Sequence, residues 1–145
     1  MPYVTFDALA LPGKHHDTMQ TFETKITVTS DDIDNLNHVN NVRYVQWVED
    51  VAKMHWFTKA PNSITDNYLW IMLSHHITYK KPAFLNDEIT LKTYVPNSEG
   101  VTCTRVVEIL NGDTLLAKSE TTWCFMDSKR MRPTRITEDI KNIFL

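Results

Sequence analysis

One segment limits the possible folds more than any other. From about Val39 to Phe57 nothing interrupts a helix, and Pro61 stands just beyond its end. At about 100° per residue, Val42, Val45, Val48, Ala52 and Trp56 fall on one stripe, which Tyr44, Trp47, Val51 and Met54 widen. Arg43, Gln46, Asp50 and Lys53 fill the opposite side. A stripe this wide needs cover on more than one flank, and a curved sheet supplies it. Glu49 falls near the middle of the stripe, where a carboxylate is out of pattern.

The rest of the chain reads as strands. A short β-rich run, Phe22 to Thr29, precedes the helix, and four strand-like segments follow it. Tyr68 to Tyr79 is long and stops at Lys80-Lys81-Pro82. Glu88 to Val95 alternates, with Ile89, Leu91, Thr93 and Val95 on one face, before the turn Pro96–Gly100. Val101 to Leu110 places Val101, Cys103, Arg105, Val107 and Ile109 together, and Asn111-Gly112 signals a hairpin into Thr114 to Met126. Asp127 to Pro133 reads as a basic loop. The order predicts an α+β fold of one domain over 1–145, with a loose arm over 1–20 and a tail or short helix over 136–145.

Composition narrows the function. The 145 residues carry a net charge of -3, which gives no global case for nucleic acid. Gly13, Gly100 and Gly112 are the only glycines. A dinucleotide fingerprint, a phosphate-cradling P-loop and a nucleophile elbow each need at least two close together. No apolar run approaches the roughly 18–20 residues of a membrane span. Met1 to Lys14 lacks a basic start and is interrupted by Asp7, unlike a signal peptide. With Asn111-Gly112 as a two-residue turn, Cys103 faces roughly Glu120. Cys124 then lies about 14 Å along the strand, beyond the roughly 7 Å a disulfide allows. Two free thiols and a cytoplasmic setting are expected.

The densest group of functional side chains is Asp31, Asp32, Asp34, Asn35, Asn37, His38, Asn40 and Asn41, where a strand ends and the long helix begins. A helix start offers free backbone N–H groups and a positive dipole end, which can polarise a carbonyl oxygen. A carboxylate beside them can attack or activate water. The same residue types also serve as plain helix caps.

Ser30 to Tyr44, with Asp32, Asp34, His38-Val39-Asn40-Asn41 and Tyr44, resembles the Asp-Xaa-Asp-Xaa-Xaa-Gly-His-Val-Asn-Asn-Xaa-Xaa-Tyr segment of hotdog-fold thioesterases, most nearly the 4-hydroxybenzoyl-CoA thioesterase-like group and the acyl-ACP thioesterases. Trp47 and the segment Ile77 to Ala83 followed by Asp87-Glu88 fit the same family. The resemblance implies a hotdog fold, an antiparallel sheet wrapped around one long central helix, assembled as a homodimer or homotetramer. It implies hydrolysis of acyl-CoA or acyl-ACP thioesters, with Asp34 as nucleophile or general base and His38 and Asn41 completing the catalytic set. Asn37, Val39, Asn40, Tyr44 and Glu49 follow as substrate-binding positions. No metal and no cofactor is implied beyond the coenzyme A or acyl carrier protein of the substrate. The chain departs from the family at Leu36, where acyl-ACP thioesterases carry Asn, at Asn41, where small acyl-CoA thioesterases often carry His, and at Asn37, where Gly is common. A hotdog enoyl-CoA hydratase and a non-catalytic acyl-thioester binding protein are the alternatives.

Other residues carry less. His75 and His76, adjacent on a strand, face opposite ways and cannot hold one metal together. His15-His16 reads as part of the arm. Lys129, Arg130, Arg132 and Arg135, or Lys80-Lys81, are candidates for the phosphates of coenzyme A or the acidic face of acyl carrier protein.

Overall fold

The computed structural model describes residues 20–145. His15-His16 and nearly all of the expected arm lie outside the described residues. The elements are β1 (Phe22–Thr27), a 3-10 turn (Ser30–Asp32), α1 (Asn41–Lys59), α2 (Asn62–Thr65), β2 (Tyr68–Tyr79), β3 (Glu88–Glu99), β4 (Thr102–Asn111), β5 (Thr114–Asp127), β6 (Arg132–Pro133) and α3 (Glu138–Ile143). All strand pairs are antiparallel, in the order β1-β3-β4-β5-β2, with β6 paired to the end of β5. This is the expected α+β arrangement, one curled sheet around one long helix.

Strand alternation supplies the inner face. Ile89, Leu91, Thr93 and Val95 of β3 are buried, as are Cys103, Arg105, Val107 and Ile109 of β4 and Ala117, Ser119, Thr121 and Phe125 of β5. Against them α1 buries Tyr44, Trp47, Val48, Val51, Ala52, His55 and Trp56. The helix face is rotated from the expected one: Val42 is 70% exposed and Met54 is exposed as well. Glu49, expected at mid-stripe, is half-buried on its flank. The reason is that α1 packs chiefly on β3 and β1 and touches β2 through the ring pairs Tyr44–Tyr79 and Trp56–Trp70. The flank carrying Val42, Val45 and Glu49 is therefore thinly covered.

Two further expectations need correction. The turn placed at Pro96–Gly100 is strand: β3 runs on to Glu99 through an irregularity between Tyr94 and Asn97, and the chain reverses at Gly100, whose φ is 64°. Such an irregularity accommodates Pro96, which has no N–H to give a ladder. The β4–β5 turn is Gly112-Asp113, with Asn111 paired to Thr114, which moves the register by two residues, and an irregularity at Ile109/Leu110 moves it by one more, so Cys103 faces Trp123, not Glu120. Cys124 faces Thr102. The two cysteines thus sit almost level but on opposite faces of the sheet, since directly paired residues share a face. Both thiols are free, as expected, for a different reason.

The core has two clusters. One gathers Tyr44, Trp47, Val48 and Val51 with Val28, Ile89, Leu91, Val107 and Ile109. The other gathers Trp56 with Val95, Phe125 and the chain end Ile136, Ile140 and Phe144, so the expected terminal helix closes it. A buried polar group accompanies them. Arg105 Nη1 donates to His55 Nδ1 at 3.0 Å and to Thr93 Oγ1 at 2.9 Å. A guanidinium only donates, so Nδ1 accepts and His55 Nε2–H donates to Gln20 Oε1 at 3.1 Å. Burial, with the positive charge of Arg105 second, pushes the His55 imidazole down to about 3.

This histidine makes stability depend on pH. The unfolded chain takes up a proton on His55 near pH 6.5, whereas the folded chain does so only near 3. Stability contributed by the neutral ring is present above about pH 6.5 and falls by up to about 1.4 kcal/mol per unit below it. Urea unfolding at pH 7.5 and 5.5 should show the wild type losing about 1 kcal/mol more than His55→Gln. A difference between the two that is independent of pH would refute this.

Candidate active site

The site is built by the segment that joins β1 to α1. Thr29 N–H donates to Asp32 Oδ2 at 2.8 Å, and Asp32 Oδ1 meets Arg43 Nε at 3.3 Å, which ties the 3-10 turn to the helix. Ile33 and Val39 then pair as an isolated bridge, and the Asp34 N–H donates to the His38 carbonyl at 2.8 Å. Residues 34–38 form a tight loop at the end of this bridge. Asn37 closes it with φ 66°, the left-handed conformation that Gly takes freely and Asn tolerates better than most residues. Asp34 Oδ1 accepts the Leu36 N–H at 2.9 Å and the His38 N–H at 3.3 Å. Asp34 Oδ2 has no partner among the described residues.

Asn40 caps α1, its Oδ1 accepting the Val42 N–H at 3.0 Å. Of this group of residues, the plain helix cap is therefore Asn40. Asn41 is the first residue of the helix, and its N–H has no partner among the described residues. Tyr44, one turn further, is buried, and its hydroxyl accepts the Ala83 N–H at 3.1 Å. Burial pushes that phenol above its ordinary range.

These pieces open onto one cleft of about 390 Å³. Asp34, His38, Val39, Asn40, Asn41 and Tyr44 line it, so the structure brings together most of the residues singled out from the sequence. Asn37 and Glu49 do not line it. Asn37 acts through its backbone, and Glu49 lies two turns along the helix. Tyr79 and Lys80-Lys81-Pro82 form the facing wall. Both lysine N–H groups donate to the Leu116 carbonyl, at 2.7 and 3.1 Å, which fixes that wall on β5. Of the two basic groups, only Lys80-Lys81 belongs to the cleft. Lys129 to Arg135 follows the far end of β5, which pairs with the start of β2 rather than its end. The rings of His38 and Phe84 meet edge to face at 5.4 Å.

One arrangement was missed. His75 Nε2 lies 2.9 Å from Ser119 Oγ on the inner side of the sheet, close enough to Glu49 for its charge to act on the imidazole. Burial, the larger effect, keeps the pKa of His75 below its ordinary value. His76 is exposed, so the two histidines do face opposite ways. Alternation puts His75 on the same side as Ile77 and Tyr79, and that parity was the available signal. Among the described residues no group of His, Cys, Asp or Glu could hold a metal ion.

Residues 28–144 match the model of the thioesterase-like superfamily. The chain belongs to this superfamily. No curated protein matches it. Among solved structures it is similar to the YbaW probable thioesterase of Escherichia coli, at 21% identity and TM-score 0.73 over 83% of this chain and 94% of that one. It is similar to a Staphylococcus aureus protein solved in complex with CoA, at 22% identity and TM-score 0.76 over 86% and 82%. The Synechocystis 1,4-dihydroxy-2-naphthoyl-CoA thioesterase gives 14% identity and TM-score 0.73 over 86% and 96%. These likenesses show the hotdog fold for this thioesterase-like chain.

Proposed function

We propose that this protein hydrolyses acyl thioesters in the cleft at the start of α1. The observation that carries the reading is the placement of Asp34, with Oδ2 uncommitted, and the unpartnered Asn41 N–H on the same cleft. The Asn41 N–H, at the positive end of the helix dipole, hydrogen-bonds the thioester oxygen and stabilises the charge that develops there. Asp34 either attacks the carbonyl carbon directly or takes a proton from the water that does. The carbon–sulfur bond breaks and the thiolate takes up a proton; where Asp34 has attacked, water then cleaves the resulting acyl–Asp34 anhydride and frees Asp34, and on either route the other product is a carboxylate. His38 stands at the cleft as a polar neighbour, Val39 and Asn40 shape its floor, and Tyr44 holds the wall at Ala83.

Coenzyme A or acyl carrier protein is the carrier. Lys80 and Lys81 supply cations for a phosphate at the cleft wall. The CoA complex of the Staphylococcus aureus neighbour and the CoA thioester in the name of the Synechocystis one support CoA. The assembly is a homodimer. Among the described residues the outer edge of β2 is unpaired, with Ile71 and Leu73 exposed beside it and Val42 exposed on α1. A second copy would pair that edge and cover the thin flank of the helix. Thiol release from short, medium, long and aromatic acyl-CoAs, followed with DTNB, tests the reading. Turnover of at least one thioester is expected. Tight binding of acyl-CoA without any thiol release, there or from acyl-ACP, would instead make the chain a binding protein.

A further inference from the structure

A second cavity, of about 280 Å³, lies at the other end of α1. It is separated from the cleft by the helix between Tyr44 and Trp56, about 18 Å of rise. Its walls are aromatic, from Trp56, Trp70, Trp123 and Phe144. A wholly apolar cavity would call for no ligand polarity, but this one is not wholly apolar. Arg105 lines it and is only 4% exposed. Its partners are His55 and Thr93, both reached through Nη1, and the face of Phe144 at 5.3 Å. His55 is neutral, so none of these balances the charge, and among the described residues no carboxylate pairs with the guanidinium.

A buried cation without a counter-charge is costly unless something supplies one. Among the described residues no Asp or Glu lines the cavity, and its other charged lining residue, Lys53, is also a cation. A second group points the same way. The Trp70 indole N–H is buried and has no acceptor among the described residues. Trp70 and Arg105 flank the same Phe144 ring, Trp70 at 6.2 Å between centroids. The cavity thus has unused guanidinium donors in its wall, with an unpartnered indole N–H on one of its lining rings.

We propose that this cavity binds the carboxylate end of an apolar monocarboxylic acid, with Arg105 as its charge partner and the Trp70 N–H as a second donor. One fully buried cation matches one planar, singly charged anion better than a phosphate carrying up to two charges. A cavity of about 150 Å³ takes a benzene ring, so this one holds an acid of about ten carbons. The carboxylate is either that of a free fatty acid or the distal one of an ω-carboxyacyl thioester. Binding of the free acid does not depend on the chain being a hydrolase.

Three tryptophans line the cavity, so occupancy is read by intrinsic fluorescence of the full chain. Decanoate and 1-decanol, below their aggregation limits, differ in the charge and share the tail. Decanoate is expected to bind at least about tenfold more tightly, the worth of a charge-assisted hydrogen bond. Arg105→Met keeps the volume and should make acid and alcohol equal. A buried cation replaced by a well-packed apolar side chain is commonly tolerated, and a thermal melt checks this. Trp70→Phe keeps an aromatic ring and removes the N–H, and should weaken decanoate several-fold with decanol unchanged. Equal binding of acid and alcohol by the wild type, or a preference that persists in Arg105→Met, would overturn the proposal. The sources separate on turnover. Faster hydrolysis of 15-carboxypentadecanoyl-CoA, whose extended chain spans the roughly 18 Å between cleft and cavity, than of palmitoyl-CoA, lost in Arg105→Met, assigns the carboxylate to the substrate. Equal hydrolysis with tight decanoate binding assigns it to a free acid.

Discussion

Replacing Asp34 by Asn is expected to lower acyl-CoA turnover by about 10²- to 10⁴-fold while the protein stays folded. The loop explains why the two effects separate. Asp34 Oδ1 organises residues 34–38 by accepting two backbone N–H groups, and an amide oxygen accepts them equally well. The change falls on Oδ2, which becomes an NH₂ group that neither attacks a carbonyl nor takes a proton from water. Asp34→Ala would be a poorer test, because it also removes the loop's acceptor. Initial rates of thiol release for both proteins, with a thermal melt beside them, decide the matter. An Asn variant with wild-type turnover would remove Asp34 from the chemistry and turn attention to Glu49 and His75.

Phe125→Ala is expected to cost about 3–5 kcal/mol of stability. Phe125 is 1% exposed, and its ring packs on Tyr68 at 4.8 Å, Trp70 at 4.7 Å and Trp56 at 6.4 Å. Rings of that size, held by β2 and α1, cannot close over the gap a benzyl group leaves. The cost is therefore transfer free energy plus a persistent void. A domain of this kind has roughly 5–15 kcal/mol to lose, so a large share goes with one side chain. Urea unfolding of the two proteins measures it. An unchanged slope with a much lower midpoint is the expected pattern, and a loss under about 1 kcal/mol would mean that the second core is already loose.

Much of the architecture could be read from spacing alone. The bounds of β2, the inner faces of β3 and β4 and the presence of α1 follow from period-2 and period-3.6 patterns, which local sequence carries directly. What misled was non-local. Val42 looks like core by periodicity but lies exposed, because α1 leans towards β3 and β1 and no local pattern encodes that tilt. The cysteine register was misplaced by a turn that lies one residue further on, at Gly112-Asp113, and by one irregularity at Ile109/Leu110, which leaves no mark in composition. At the site, Asp34, His38, Asn41 and Tyr44 are close in sequence, and a short motif gathered them. Tyr79, Lys80 and Pro82 reach the same cleft from β2, some forty residues away. His55 stands within the apolar helix face, and Arg105, though its spacing puts it on the inward strand face, is the charged residue there that signals a buried polar group.

The open side of β2 has a bearing on how the protein is handled. Twelve residues of extended backbone with Ile71 and Leu73 beside them make a template for any unfolded strand, whether or not it belongs to a native partner. Correct association and aggregation therefore draw on the same groups, and both speed up with concentration. Which prevails turns on how much unfolded chain is present when folded copies meet. Slow synthesis at low temperature, or refolding at high dilution, keeps that fraction small. Charge on Lys80 and Lys81, just past the strand, adds repulsion against disordered stacking, and this repulsion weakens as salt rises. Recovery of soluble protein should accordingly track the conditions under which the chain is made more closely than the strength of its core.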